Sequence, residues 1–163
     1  MTSLDKARAL AIAVPAALLA GAYGSEIWGG LYPCEMCWWQ RYAHFAGLAL
    51  ALISLLLRGA PDRGRSFVWL AALAILASGG IGAYHAGVEA GVFEGFTTCA
   101  SSGTAGLSSE DMLKEIMAKP IVRCDEIQFA FLGISMAGWN AILSILAALS
   151  ISWLSLRRPR MRP

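Results

Sequence analysis

The stretch "PCEMCWWQRYAHFAGLALALISLLL", residues 33–57, joins a CxxC motif without a break to an apolar run. Cys34 and Cys37 are followed by two tryptophans, Gln40 and Arg41, and then 42–57 carries no charged side chain. A run of this kind approaches the roughly 20 residues needed to cross a bilayer, which puts the cysteine pair at the head of a membrane span. Three more stretches read the same way. Residues 9–28 hold one charge, Glu26, near their end, and 66–84 are uncharged and rich in Ala, Ile and Leu. Residues 127–156 have no charge over 30 positions, longer than a crossing needs, so the fourth span is placed at 130–154. The composition agrees: 57% of residues are hydrophobic and 15% charged, against about 25% charged in soluble domains. The predicted fold class is an all-α membrane protein, a single four-transmembrane-helix bundle over 1–163, with outer loops at about 29–41 and 85–129. A β-barrel would show short alternating segments instead. The first stretch, led by Lys6 and Arg8 and carrying Ala22, Tyr23 and Gly24 toward its end, also meets the pattern of a signal peptide. Its removal would leave the other three spans in place.

Charge sets the expected orientation. Lys6, Arg8, Arg58, Arg63, Arg65, Arg157, Arg158, Arg160 and Arg162 fall on one side, nine of the 13 basic residues, with only Asp5 and Asp62 as acids. The other side has Arg41, Lys114, Lys119 and Arg123 against the remaining nine of 11 acids. Both termini are therefore expected to be cytoplasmic, and Cys34, Cys37, Cys99 and Cys124 all fall outside. Disulfides persist on that side of a membrane and not in the cytosol.

The first outer segment is short, so its CxxC sits close to the membrane, with Trp28, Tyr32, Trp38 and Trp39 as an aromatic belt. In the long second segment, 97–106 is rich in Thr, Ser, Ala and Gly and reads as loop. Ser108, Ser109, Glu110 and Asp111 form a helix start. Met112, Leu113, Ile116 and Met117 then share one face until Pro120, a short helix expected in the interface or against the protein's own helices.

CxxC is shared by zinc sites, haem attachment and redox pairs. Haem attachment needs a histidine where Trp38 stands. An all-cysteine zinc site usually pairs two close couples, but Cys99 and Cys124 are separated by 24 residues. A four-cysteine zinc site or a pair of structural disulfides, in a non-enzymatic four-span protein, stays open as the alternative. If the second helix starts near Cys37, then Cys37, Gln40, Arg41 and His44 form one stripe. Arg41 one turn below Cys37 would favour a thiolate, as would a helix N-terminus, and thiolate is what disulfide exchange requires. An arginine snorkelling to the interface occupies the same position equally well. His44 reads as a polar contact inside the bundle, and His85 lies at the outer end of the third span. Nothing resembles a dinucleotide, flavin or P-loop fingerprint. That leaves a lipid-soluble acceptor, such as a quinone reaching Cys37 and Arg41 from the bilayer.

Three stretches, "PCEMCWWQRYAHFAG" (33–47), "AYHAGVEAGVFEGFTTC" (83–99) and "CDEIQFAFLGISMAGWN" (124–140), resemble the DsbB family of bacterial disulfide bond formation proteins. With four cysteines in the family's order, the resemblance covers nearly the whole chain. It implies an inner-membrane enzyme that reoxidises a periplasmic DsbA-like thioredoxin-fold partner and reduces a membrane quinone (ubiquinone, or menaquinone), with no metal and no nucleic acid. It further implies redox-active disulfides Cys34–Cys37, near the quinone, and Cys99–Cys124, which meets the partner. Arg41 would support the quinone site and His85 would serve quinone function, with Gln40 and His44 beside them. Gln40 sits where relatives often carry an acid, and Glu35 lies inside the CxxC where apolar residues are common; both bear on the redox poise of the pair.

Overall fold

The structure is a computed structural model that describes residues 2–94 and 122–157. It contains four long helices: α1 (Ser3–Gly29), α2 (Glu35–Leu56), α3 (Arg65–Glu89) and α4 (Met136–Leu156). Each is long and apolar enough to cross a membrane. A two-stranded antiparallel hairpin, β1 (Ala130–Phe131) and β2 (Ile134–Ser135), leads into α4. The four-helix architecture read from the sequence is therefore present. The interfacial helix expected over 108–117 and the loop at 97–106 lie outside the described residues.

Local chemistry explains the helix ends. Thr2 caps α1 through a capping box with Asp5, each satisfying a backbone N–H of the other. Gly30 closes the helix at φ 64°, a left-handed position that glycine adopts without Cβ strain. Ser135 caps α4 by accepting the Gly138 N–H at 3.1 Å. That cap also accounts for a difference from the expected span: 130–135 is hairpin, not helix, because Leu132 (φ 53°) and Gly133 (φ 77°) turn the chain back. Likewise α2 begins at Glu35, seven residues ahead of the uncharged run that starts at Tyr42, so Cys37, Gln40 and Arg41 are helical.

Helix α3 packs against α2 and α4, and α1 packs against α2 and α4, with α1 and α3 meeting little across the bundle. Small residues let the backbones approach, as they do where lipid supplies no hydrophobic force between helices. A Cβ on Gly79 would stand 2.9 Å from Ile145, and one on Gly82 would stand 3.0 Å from both the Ala137 carbonyl and Asn140 Nδ2. The core away from the cysteines is built from Ala7, Ala11, Val68, Ala71, Ile75 and Ile151, all with no exposed surface. Buried Arg8 ties α1 to the α2–α3 loop through the Arg63 carbonyl, and Trp69 donates to Ser155 Oγ at 2.8 Å between α3 and α4. Leu56, Leu73, Leu146, Leu149 and Trp153 point outward, an apolar exterior suited to lipid.

Candidate functional site

Cys34 is the N-cap of α2. Its backbone is extended (φ −77°, ψ 177°), and its Sγ accepts the Cys37 N–H at 3.4 Å. The CxxC spacing thus matches one capping turn, with the two sulfurs on the same side of it. The Sγ atoms are 3.2 Å apart, beyond the roughly 2.05 Å of a disulfide, so the pair is a dithiol here. Cys34 is buried and Cys37 half-buried. The hydrogen bond to Cys37, and then burial, push the Cys34 thiol up.

Two other groups converge on this turn. His85 from α3 places Nε2 3.6 Å from Cys34 Sγ and 3.8 Å from Glu89 Oε1. Cys124, from the segment ahead of β1, is buried in the same cluster as Cys34, Met36 and Val88. The pairing of Cys124 with Cys99 lies outside the described residues. The donor atoms of Cys34, Cys37 and His85 all lie within 4.8 Å of one another. That grouping can serve thiol chemistry or a soft cation.

Arg41 faces α1. Its guanidinium donates to Glu26 Oε2 at 2.6 Å and to the Ala22 carbonyl at 3.2 Å, and lies 4.6 Å from the Tyr23 ring centre and 5.0 Å from that of Trp38. The side chain is buried and paired, whereas Glu26 keeps 28% of its side-chain surface exposed. The group that hydrogen-bonds a CxxC sulfur is His85, not Arg41.

Gln40 and His44 enter a buried polar chain. Gln40 Nε2 lies 3.0 Å from His85 Nδ1, its Oε1 accepts from Asn140 Nδ2 at 2.8 Å, and Asn140 Oδ1 lies 2.8 Å from His44 Nε2. The chain crosses from α3 through α2 to α4, held by Ser78 and Ser144. Sequence reasoning did not single out Asn140, Glu26 as the partner of Arg41, or Glu89. The available signal was a carboxamide inside an uncharged span, which marks a functional position by default because burying it costs free energy.

Cys34, Cys37, Gln40, Arg41, His44 and His85 border one cavity of about 700 Å³, within the usual range of about 300–1,000 Å³ for a ligand site, and Cys124 packs behind Cys34 without lining it. Ala17, Gly21 and Ala22 of α1 give it a smooth apolar wall, while Cys37, Gln40, Arg41 and His44 bring polar groups to it. A flat carbonyl-bearing ring on an apolar tail, the chemistry of a quinone, fits such a lining.

The profile of the family described as "Disulfide bond formation protein DsbB" matches residues 5–154. The chain is 31% identical over 136 residues to Disulfide bond formation protein B of Aromatoleum aromaticum, covering 79% of each chain. It is 30% identical over 159 residues to the protein of the same name from Marinobacter nauticus, covering 91% of this chain and 90% of that one. An uncharacterized protein of Rickettsia prowazekii is 28% identical over 129 residues, covering 78% of this chain and 73% of that one. No solved structure matches.

Proposed function

Because the chain belongs to the DsbB family of disulfide bond formation proteins, we propose that it reoxidises a periplasmic DsbA-like dithiol protein and delivers the electrons to a membrane quinone. The observation that carries this reading is the meeting of Cys124, Cys34, Cys37 and His85 beside an apolar cavity. The charge asymmetry supports an inner-membrane orientation with cytoplasmic termini and periplasmic cysteines.

In this scheme a thiolate of the reduced partner attacks Cys99 of a Cys99–Cys124 disulfide, forming a mixed disulfide and freeing Cys124. Cys124 then attacks Cys34 of a Cys34–Cys37 disulfide, and the Cys34–Cys37 bond breaks with Cys37 leaving as thiolate. The partner's second thiol displaces Cys99 from the mixed disulfide to complete its own disulfide. Cys99 then displaces Cys34 from Cys124, which restores Cys99–Cys124 and leaves Cys34 and Cys37 as the dithiol holding the two electrons taken from the partner. The proximity of Cys124 to Cys34 supports that order of attack. Helix α2 supports Cys37 as leaving group, since its N-terminal backbone dipoles favour negative charge there. A quinone, when bound, supplies a two-electron, two-proton acceptor. Its withdrawal of electrons is needed because such partners are themselves strong oxidants, near about −120 mV. Gln40, Arg41, His44 and His85 are the residues proposed to face it, and the small α1 residues exclude water beside them.

The test pairs two measurements. The purified protein with a reduced DsbA-type partner and a soluble quinone should form partner disulfide and quinol in equal amounts. Cys124→Ser should trap a mixed disulfide between Cys99 and the partner, visible as a heavier band on non-reducing gels that disappears with dithiothreitol. If Cys99→Ser traps that species instead, the order of attack is wrong. A second reading, a soft-metal site, is favoured by the donor grouping of Cys34, Cys37 and His85. Stoichiometric zinc in the protein as isolated, with no quinone reduction, would establish it instead.

A further inference from the structure

We infer that Asn140 and Gln40 hold His85 as the neutral tautomer with its hydrogen on Nε2, so that His85 meets Cys34 as a hydrogen-bond donor and not as a base or metal ligand. This deepens the thiol-oxidation reading and rests on it for its functional meaning, while its geometry stands alone.

Two backbone carbonyls decide the orientation of both amides. Asn140 Nδ2 lies 3.2 Å from the Ser78 carbonyl, and Gln40 Nε2 lies 3.2 Å from the Met36 carbonyl. A carbonyl oxygen only accepts, so a nitrogen must face each one. Asn140 then donates its other hydrogen to Gln40 Oε1 at 2.8 Å, and Gln40 is left with one hydrogen directed at His85 Nδ1, 3.0 Å away. Nδ1 must offer a lone pair, and the hydrogen of a neutral ring sits on Nε2.

The surroundings of Nε2 agree. Cys34 Sγ, whose own hydrogen points to Cys37, lies 3.6 Å from Nε2 and is free to accept from it. The Glu89 carboxylate, 3.8 Å away and itself accepting from Ser135 Oγ, is too far for a hydrogen bond but favours a hydrogen on that nitrogen. Among the described residues, Cys37 is a further titratable group beside the ring, and Cys124 meets it through its backbone. Glu89 and any thiolate favour a second proton on the ring. That proton would have to enter at Nδ1, against the Gln40 N–H.

Reversing the tautomer requires Gln40 to turn over, which sets Oε1 against the Met36 carbonyl and Nε2 against the Asn140 donor. Relieving the second conflict turns Asn140 over and sets Oδ1 against the Ser78 carbonyl. Gln40, Ser78 and His85 are all at least nine-tenths buried, so no solvent softens these contacts. His85 can therefore donate a hydrogen bond to the Cys34 sulfur but offers it no lone pair. A metal held by Cys34, Cys37 and His85 Nε2 would need the same double reversal. Asn140 and Gln40 are positioning residues in this account.

The chain has only two histidines, so histidine-labelled protein in detergent or nanodiscs gives few ring signals, and His44→Asn assigns them. In wild type at neutral pH, ring ¹⁵N spectra should show His85 with a pyridine-type Nδ1 and a pyrrole-type Nε2. Gln40→Glu, which puts an acceptor at Nδ1, should shift that nitrogen to pyrrole type at the same pH. Asn140→Leu, which unpins Gln40, should add signals of the second tautomer. A wild-type His85 with a pyridine-type Nε2, or doubly protonated at neutral pH, overturns the inference without any variant having to fold. Quinone reduction measured on the same sample reports separately on the thiol-oxidation reading.

Discussion

The Arg41–Glu26 pair separates two roles that position along the chain leaves equal. Arg41→Met removes a charge-assisted hydrogen bond of 2.6 Å and two ring contacts within 5.0 Å. The first is worth about 1.5–3 kcal/mol, and the ring contacts about 0.5–1 kcal/mol each. Glu26, with 28% of its side chain exposed, recovers part of the loss by hydrating. A net loss of about 2–4 kcal/mol in the docking of α1 on α2 is expected, so reduced quinone turnover in Arg41→Met mixes folding with chemistry. Glu26→Gln is cleaner. It keeps shape and an acceptor for Arg41 but removes the neutralising charge, trading an ion-pair hydrogen bond for one from the cation to a neutral carbonyl at a cost of about 1 kcal/mol. If Arg41 contacts the acceptor, its released charge should strengthen that contact by a similar amount, lowering the apparent quinone KM about fivefold while the melting temperature falls. The assay is quinone-reduction kinetics across quinone concentrations with reduced partner saturating, beside thermal unfolding of the same preparations. A melting temperature that drops in both variants with KM and kcat unchanged refutes a role at the acceptor and leaves Arg41 as a clamp between α1 and α2.

Gly82→Ala should lower stability by about 1–3 kcal/mol, because its Cβ would stand 3.0 Å from the Ala137 carbonyl and Asn140 Nδ2. Gly21→Ala, with nothing within 4 Å, should leave unfolding midpoints unchanged or slightly raised, and equal losses in the two would deny close α3–α4 packing. Asp62 accepts from Ser66 and from the Gly64 and Ser66 backbone, which holds its carboxyl down at about 2. A depressed carboxyl stabilises fully above its unfolded value of about 3.9 and loses that contribution as pH falls toward 2. Thermal unfolding of wild type and Asp62→Asn should therefore converge over that window, and a constant gap between them would count against the loop hydrogen bonds.

The four helices were legible because bilayer crossing is a one-dimensional demand: about 20 apolar residues in a row, which 9–28, 42–57 and 66–84 display without reference to any partner. The start of α4 was less legible. An uncharged run continues through 130–135, and only the left-handed backbone at Leu132 and Gly133 with the Ser135 cap reveals a hairpin there. Within the site, the stripe of Cys37, Gln40, Arg41 and His44 followed from helical spacing, since residues three and four apart share a face. Nothing in that spacing indicates which neighbour each side chain meets.

By itself, then, the sequence determined a four-span bundle and the placing of a cysteine pair at the mouth of its second helix, because hydropathy and capping are local properties of the chain. Tertiary structure decided that Arg41 answers Glu26 on α1 and that His85 on α3 answers the sulfurs. It also decided that Asn140, 100 residues from Gln40 and His85's link to α4, holds the amide chain between them. Those contacts depend on which helices neighbour one another and on how closely Gly79 and Gly82 let α3 and α4 approach. A hydrogen bond demands its partner within about 3 Å, a condition set by packing and invisible to residue spacing.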